Sequence, residues 1–298
     1  MIRALIWMIG GTLFLSALFA PPIYSGLKMF MGDSIWPFSR VFDRVAMVCI
    51  AALVLIFRKD FPLQPVKAFL SKARFSKEWS FIPIGIVLSL IFSMLLLPSM
   101  VDGVSLTWNP KTPSEIFIRI LKVVPAALLI SLLEEGFFRV LLFQRLLQGA
   151  STWLAMTVCS FVYALAHFIT PAKAWLYPGW SIDIGFRYLV AVGERLFLPG
   201  VAEAFFGLFL VGLVLCFVIY RVRSLFLCIG LHAGWVIALK LSGFLTMKLP
   251  DFEYAAGVGR RYFLLMSPFT WISILLVGAV ALGLGSLCKS RGLIGCSQ

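Results

Sequence analysis

A chain of 298 residues that is 61% hydrophobic and only 13% charged, with a mean hydropathy of +1.00, is too apolar for a soluble domain, in which charged residues make up about a quarter of the total. It lacks the alternating ten-residue segments of a transmembrane barrel, so the expected fold class is all-α, as a polytopic membrane protein. The excess of 26 Lys and Arg over 13 Asp and Glu is interpreted as a response to anionic lipids and membrane topology, and no nucleic-acid partner is expected.

Apolar windows long enough to form transmembrane helices recur along the whole chain, which is therefore treated as one membrane domain, 1–298. About eight helices are predicted, at roughly 4–20, 42–57, 81–97, 116–147, 152–169, 200–220, 224–240 and 268–287. The first is expected to be a retained span, because the residues before Pro21 form no small-residue cleavage site. The fourth is long enough to tilt or break, and the stretch 170–199 is expected to be an external loop or a re-entrant element.

The segment 58–80 is the most basic part of the chain, with Arg58, Lys59, Lys67, Lys72, Arg74 and Lys77. We expect it to form an amphipathic cytoplasmic loop on anionic lipids. With eight spans, both termini are then cytoplasmic, and the expected location is a bacterial inner (cytoplasmic) membrane. The six scattered cysteines include no CxxC pair and are interpreted as buried apolar residues.

Three charged residues interrupt the fourth window in the stretch SLLEEGFFRVLLF, namely Glu134, Glu135 and Arg139. Each charge at mid-membrane costs at least ~2.5–3.5 kcal/mol. Glu135 and Arg139 are i,i+4 on a helix, whereas Glu134 points about 100° away. This spacing predicts that Arg139 pairs with Glu135 and that Glu134 faces a cavity. A buried ion network that only fixes helix packing is the alternative, and it explains a lone pair better than it explains adjacent glutamates.

The two histidines of the chain, His167 and His232, both fall in apolar windows. Tyr163 precedes His167 by four residues, so the two rings share a helix face. Gly230 and Gly234 bracket His232 in a GxxxG spacing, which allows a neighbouring backbone to approach closely.

A carboxylate with two imidazoles is suited to two kinds of chemistry. The three side chains can bind a metal such as zinc and leave an open coordination position, or they can hydrolyse a peptide without a metal. No HExxH spacing occurs. Serine and cysteine nucleophiles are not favoured, since spacing pairs neither Ser131 nor Cys159 with a histidine.

These residues resemble the motifs of the CAAX protease and bacteriocin-processing family (CPBP or Abi family) of intramembrane proteases, also called type II CAAX prenyl endopeptidases. Residues 134–139 match its EExxxR motif. Tyr163 and His167 match FxxxH, with tyrosine in the phenylalanine position. His232 begins the third motif, HxxxN or HxxxD, but Val236 occupies the Asn or Asp position.

The resemblance covers roughly 116–240 and implies an intramembrane endopeptidase that cleaves near the end of a lipidated or membrane-embedded substrate. It implies that Glu134 activates the hydrolytic water, that His167 holds this water and that His232 stabilises the oxyanion. Supporting roles fall to Glu135, Arg139 and Tyr163. No cofactor is required on this mechanism; in the zinc alternative, the three catalytic side chains would be the ligands.

Val236 departs from the motif, and the loss of one oxyanion donor costs ~2.7–4 kcal/mol in a comparable site. The only asparagine of the chain is Asn109; Tyr163, a backbone amide or a water are the open replacements. Two other functions stay open. One is a catalytically weakened relative that acts as a membrane scaffold, which Val236 favours, and the other is a proton-coupled transporter, which the lack of an internal repeat disfavours.

Overall fold

The computed structural model describes residues 2–32, 36–59, 77–103, 106–169, 176–248 and 260–290, which are predominantly helical. The helices are α1 (Ile2–Met31), α2 (Phe38–Ile56), α3 (Phe81–Leu96), α4 (Pro113–Glu135), α5 (Gln144–Leu147), α6 (Thr152–Ala166), α7 (Ile184–Arg195), α8 (Val201–Val222), α9 (Leu225–Leu245), α10 (Arg260–Phe263) and α11 (Pro268–Ser290). A π-helix, Gly136–Phe143, joins α4 to α5, and 3-10 turns lie at Lys77–Ser80, Pro98–Met100 and Leu264–Met266. Most of the predicted basic loop, 60–76, lies outside the described residues.

All eight predicted windows form helices, and the all-α polytopic architecture is confirmed. Within the described residues, six segments are long and apolar enough to cross a membrane: Ile6–Met31, Glu78–Met100, Pro113–Leu147, Val201–Val222, Leu225–Leu245 and Pro268–Gly285. The other two windows fall short for different reasons. Helix α6 has only 15 residues, and α2 carries Arg40, Asp43 and Arg44 in its first turns.

The three helices that carry the motif residues all begin at a capped residue. Thr112 and Glu115 form a capping box at the start of α4, in which each side chain accepts from the backbone N–H of the other residue. Ser151 and Ser224 accept from backbone N–H groups at the starts of α6 and α9. These caps determine where each helix begins and therefore help to set the positions of the motif residues.

Helix α9 lies at the centre of the bundle, with 83% of its most apolar window buried. It packs against α3 so closely that a Cβ atom at Gly230 would collide with the Ile82 carbonyl oxygen, and one at Gly234 with Ser89 Oγ. The GxxxG spacing around His232 therefore brings the two backbones into contact.

The stretch expected to be an external loop or a re-entrant element contains a helix, α7. It packs on α1, where Gly185 meets the backbone of Ala17. Helices α1, α2 and α7 share an aromatic cluster that includes Tyr24, Phe42 and Tyr188. Aromatic packing thus holds α7 against the bundle.

One end of α9 is fastened by a small antiparallel sheet that was not predicted. Strand β1 (Leu106–Trp108) pairs with β2 (Thr246–Lys248). Asn109 donates through its backbone N–H to Leu245 O at 2.8 Å and through its side chain to Phe244 O at 3.2 Å. Phe244 lies twelve residues after His232, or about 18 Å along the helix. The single asparagine therefore closes the end of α9 and does not reach the histidine.

Candidate active site

Three helices bring the motif residues together in the middle of the bundle. Glu134 and Glu135 end α4, and Arg139 follows in the π-helix. Tyr163 lies in the last turn of α6 and His167 is its C-cap, while His232 occupies the middle of α9. The sequence-predicted residues form one connected cluster, as the following contacts describe.

Glu135 bridges the arginine and the second histidine. Its Oε2 lies 3.1 Å from Arg139 Nε, and both side chains are fully buried. Its Oε1 lies 2.8 Å from His232 Nδ1. An ionised carboxylate only accepts hydrogen bonds, so the Nδ1–H group of His232 donates to Glu135, and Nε2 is the ring nitrogen left for the cavity.

Glu134 occupies a more open position than its neighbour. It is 29% exposed, and its Oε2 lies 3.7 Å from both His167 Nε2 and His232 Nε2. These distances are too long for direct hydrogen bonds. Oε2 has no hydrogen-bond partner within the described part of the chain. The carboxylate and the two imidazoles thus surround a common point without bonding to one another.

His167 is oriented by its own helix. Its Nδ1 lies 2.8 Å from the Tyr163 carbonyl oxygen, and a carbonyl oxygen accepts, so the Nδ1–H group donates there. The other ring nitrogen, Nε2, then faces Glu134. The Tyr163 and His167 rings lie against each other with centroids 4.6 Å apart.

The cluster forms part of the wall of a cavity of about 270 Å³. Glu134, Tyr163, His167 and His232 all contribute to its lining, and much of the remaining surface is apolar, including Leu96, Ile130, Val236, Leu239 and Ile274. A small cavity with apolar walls and a compact polar group is typical of a ligand site in a helix bundle.

Two polar residues, Trp235 and Ser273, are among the cavity residues that the sequence analysis missed. Trp235 and Ser273 line the same space, and Trp235 Nε1 and Ser273 Oγ are buried without a hydrogen-bond partner in the described residues. Trp235 follows His232 by three residues, and this spacing could have indicated that both side chains lie on the same face of α9. Ser273 lies on α11, far from every motif, and no sequence signal pointed to it.

The side chains also bear on the alternative chemistries. The described residues contain no group of three or more His, Cys, Asp or Glu side chains arranged to hold a metal ion. Cys159 Sγ donates to the Phe138 carbonyl oxygen at 3.3 Å. Ser131 Oγ is buried and has no partner in the described part of the chain. The hydroxyl and the thiol thus both lack the contact with histidine that would activate a nucleophile.

Apolar helices enclosing a carboxylate–imidazole cluster define a polytopic integral membrane protein with a polar site inside the bundle. The family model described as Type II CAAX prenyl endopeptidase Rce1-like matches residues 115–238. The matched region contains the whole cluster, and the resemblance drawn from the motifs is confirmed. No curated protein and no solved structure shows a significant match to the chain.

Proposed function

We propose that the protein is an intramembrane endopeptidase in which Glu134 activates water to hydrolyse a peptide bond of a membrane-anchored substrate. The observation that carries this proposal is the position of Glu134 Oε2, 3.7 Å from the Nε2 atoms of both histidines and on the wall of the cavity. A water molecule placed between these atoms can hydrogen-bond to the carboxylate and to an imidazole at once.

The first chemical step is addition of water to the scissile carbonyl. Glu134 Oε2 and His167 Nε2 both accept a hydrogen bond from the water, which directs an oxygen lone pair to the carbonyl carbon. Glu134 takes one proton as the C–O bond forms, and the carbonyl oxygen becomes an oxyanion near His232 Nε2. In the second step the C–N bond breaks, and Glu134 returns its proton to the leaving nitrogen. The carboxylate is thereby regenerated.

Arg139 and Glu135 support this chemistry from behind the cavity wall. Their ion pair fixes the ring of His232 through Nδ1. A histidine that donates to a buried carboxylate is fixed in both tautomer and orientation. Arg139 also compensates one of the two adjacent negative charges, which lowers the cost of keeping the site inside the bundle.

The substrate we propose is a prenylated or otherwise membrane-anchored peptide that is cleaved near its lipidated end, in keeping with the family. The protein would act in a bacterial cytoplasmic membrane with both termini on the cytoplasmic side. Contacts between helix ends support a single basic face. Ser224 donates to Glu78, which joins Arg221 and Arg223 to the end of the basic segment. Excess positive charge is typical of the cytoplasmic face.

The test is cleavage of a fluorescence-quenched peptide with a farnesylated cysteine three residues before its C-terminus, by the purified protein in lipid nanodiscs. Glu134→Gln should abolish cleavage, and Glu194→Gln, which alters an exposed carboxylate on α7, should not. Full activity of Glu134→Gln would remove the proposed base. A scaffold would cleave nothing, and a proton-coupled transporter would instead show pH-driven flux in liposomes. Membrane peptides compared between cells with and without the protein would identify natural substrates.

A further inference from the structure

We propose that the Tyr163 hydroxyl is the hydrogen-bond donor that stabilises the oxyanion at this centre. The inference rests on the proposed function, since it names a further catalytic group for the same reaction. Tyr163 is 2% exposed and lines the same cavity as Glu134. Its hydroxyl oxygen lies 3.4 Å from His232 Nε2, so it lies beside the position at which the oxyanion develops.

A count of donors and acceptors selects this hydroxyl. Glu134 in its ionised form accepts only. His167 donates its Nδ1–H to the Tyr163 carbonyl oxygen, and His232 donates its Nδ1–H to Glu135. With both rings neutral, the two Nε2 atoms that face the cavity are also acceptors. His232 then orients the Tyr163 hydroxyl and does not itself donate to the oxyanion. Among these four side chains, the phenol alone then has a hydrogen to offer an oxyanion. Trp235 and Ser273 also bring unpartnered donors to the cavity wall in the described residues, and the contact with His232 Nε2 distinguishes Tyr163 from them.

The ring of Tyr163 is held in place before any substrate binds. Phe138 packs on it edge to face, with centroids 5.2 Å apart, and the guanidinium of Arg139 lies 4.8 Å from the ring centre. Gly212 leaves room for the ring, since a Cβ there would come 3.2 Å from Tyr163 Cδ1. Because the ring is fixed in advance, only the hydroxyl hydrogen has to turn during the reaction. A cation over the ring also draws electron density from it, which makes the hydroxyl a stronger donor.

A donor at Tyr163 also explains how the site can have valine at position 236, where the motif has Asn or Asp. Val236 lies one helical turn after His232 and lines the cavity, where it presents only methyl groups. The motif places an amide or carboxyl side chain at this position, and the oxygen of Tyr163 occupies the position where the motif has an apolar phenylalanine. The Tyr163 hydroxyl on α6 thus supplies the donor that an asparagine at position 236 would supply from α9.

The step involves no covalent bond to tyrosine. In the resting state the O–H group donates to His232 Nε2. When water adds to the carbonyl, the hydroxyl turns its hydrogen to the new oxyanion and keeps its proton. When the C–N bond breaks and the carbonyl reforms, the hydrogen bond returns to His232.

The first test is Tyr163→Phe, which removes only the hydroxyl, with the farnesylated peptide as substrate. We expect kcat to fall by roughly a hundred- to a thousandfold, as for other oxyanion donors, with KM changed less than threefold. Tyr188→Phe, which removes a buried hydroxyl in the aromatic cluster of α7, should leave kcat within threefold. Val236→Asn in the Tyr163→Phe background should regain at least tenfold in kcat. Wild-type kcat in Tyr163→Phe would overturn the proposal.

A binding measurement separates a donor to the oxyanion from a residue that only positions His232. A peptidyl phosphonamidate mimics the tetrahedral oxyanion, whereas the uncleavable reduced-amide peptide has no such oxygen. Tyr163→Phe should weaken binding of the phosphonamidate by the same factor as kcat/KM and leave the reduced amide unchanged. Equal affinity for the phosphonamidate in both proteins would overturn the proposal. If Tyr163→Phe fails to fold, Tyr163 can be replaced by 3-fluorotyrosine, which keeps the ring and its hydroxyl. This replacement should still change kcat. An unchanged kcat would overturn the proposal that Tyr163 is the donor. Glu134→Gln separates the two proposals. Its activity tests whether the protein is a glutamate-dependent endopeptidase, and it does not test whether Tyr163 is the donor.

Discussion

Glu135 Oε1 and His232 Nδ1 lie 2.8 Å apart inside the bundle. This hydrogen bond gives Glu135 a different environment from Glu134, its neighbour in the chain. Glu135 is fully buried between His232 and Arg139. Glu134 is 29% exposed and bonds directly to neither histidine. The Glu135 carboxylate therefore holds Arg139 and His232 in place, and the Glu134 carboxylate faces the cavity.

The two glutamates should respond differently to the same substitution. Glu135→Gln leaves Arg139 as a buried charge without its partner, which we expect to lower the free energy of unfolding by ~3–5 kcal/mol. Glu134→Gln should change the free energy of unfolding by less than ~1 kcal/mol, although we expect it to abolish cleavage. Unfolding in detergent, followed by circular dichroism for both variants, measures the difference. Equal losses would contradict the division of roles.

The Nε2 side of His167 should matter more than its Nδ1 side. An asparagine at this position places an amide near Nδ1, whereas a glutamine reaches the position of Nε2. We expect His167→Gln to retain at least tenfold more activity than His167→Asn, because Nε2 is the atom that faces Glu134. His167→Ala should abolish cleavage while the protein stays folded and inserted, as expected for a residue that orients the attacking water. If the asparagine variant were the more active, the assignment of the ring nitrogens would be wrong.

The helices and the Glu135–Arg139 pair could be predicted because their signals are local. Long apolar runs mark the helices, and an i,i+4 spacing places two side chains together wherever the helix lies. The direction of Glu134 followed from the same geometry. The contact of His232 with Glu135 joins residues 97 positions apart and depends on how α4 and α9 pack, so only the motif order hinted at it.

Other features had no usable local signal. A π-helix needs one extra residue in the hydrogen-bond ladder, and nothing in GFFRVLLF marks this. Such insertions are often found at functional sites, and this one follows Glu135 directly. The β1–β2 pair joins segments far apart in the chain, and three-residue strands are too short to show alternation. Helix α7 was missed because prolines and charges surround a short and weakly apolar segment.

The close contact of α9 with α3 should make the central glycines sensitive to a single methyl group. Gly234→Ala forces a Cβ against Ser89 Oγ and the Ile86 backbone, and overpacking of this kind costs ~1–3 kcal/mol. Gly243→Ala on the same helix meets no atom within 4 Å and should be neutral or stabilise the helix by up to ~1 kcal/mol. Thermal unfolding in detergent compares the two. Equal tolerance of both substitutions would show that the two backbones do not touch at His232.

Cleavage is expected to survive removal of metal ions. In the proposed mechanism Glu134 takes the proton of the water, Tyr163 supplies the hydrogen bond to the oxyanion, and Arg139 supplies the positive charge that balances a buried carboxylate. A zinc ion would instead act by acidifying the water and polarising the carbonyl. The protein should therefore keep its kcat after dialysis against 1,10-phenanthroline, with metal content followed by mass spectrometry. Loss of activity that one equivalent of zinc restores would instead assign Glu134, His167 and His232 as metal ligands, because their cavity-facing atoms are the ones that a bound ion would recruit.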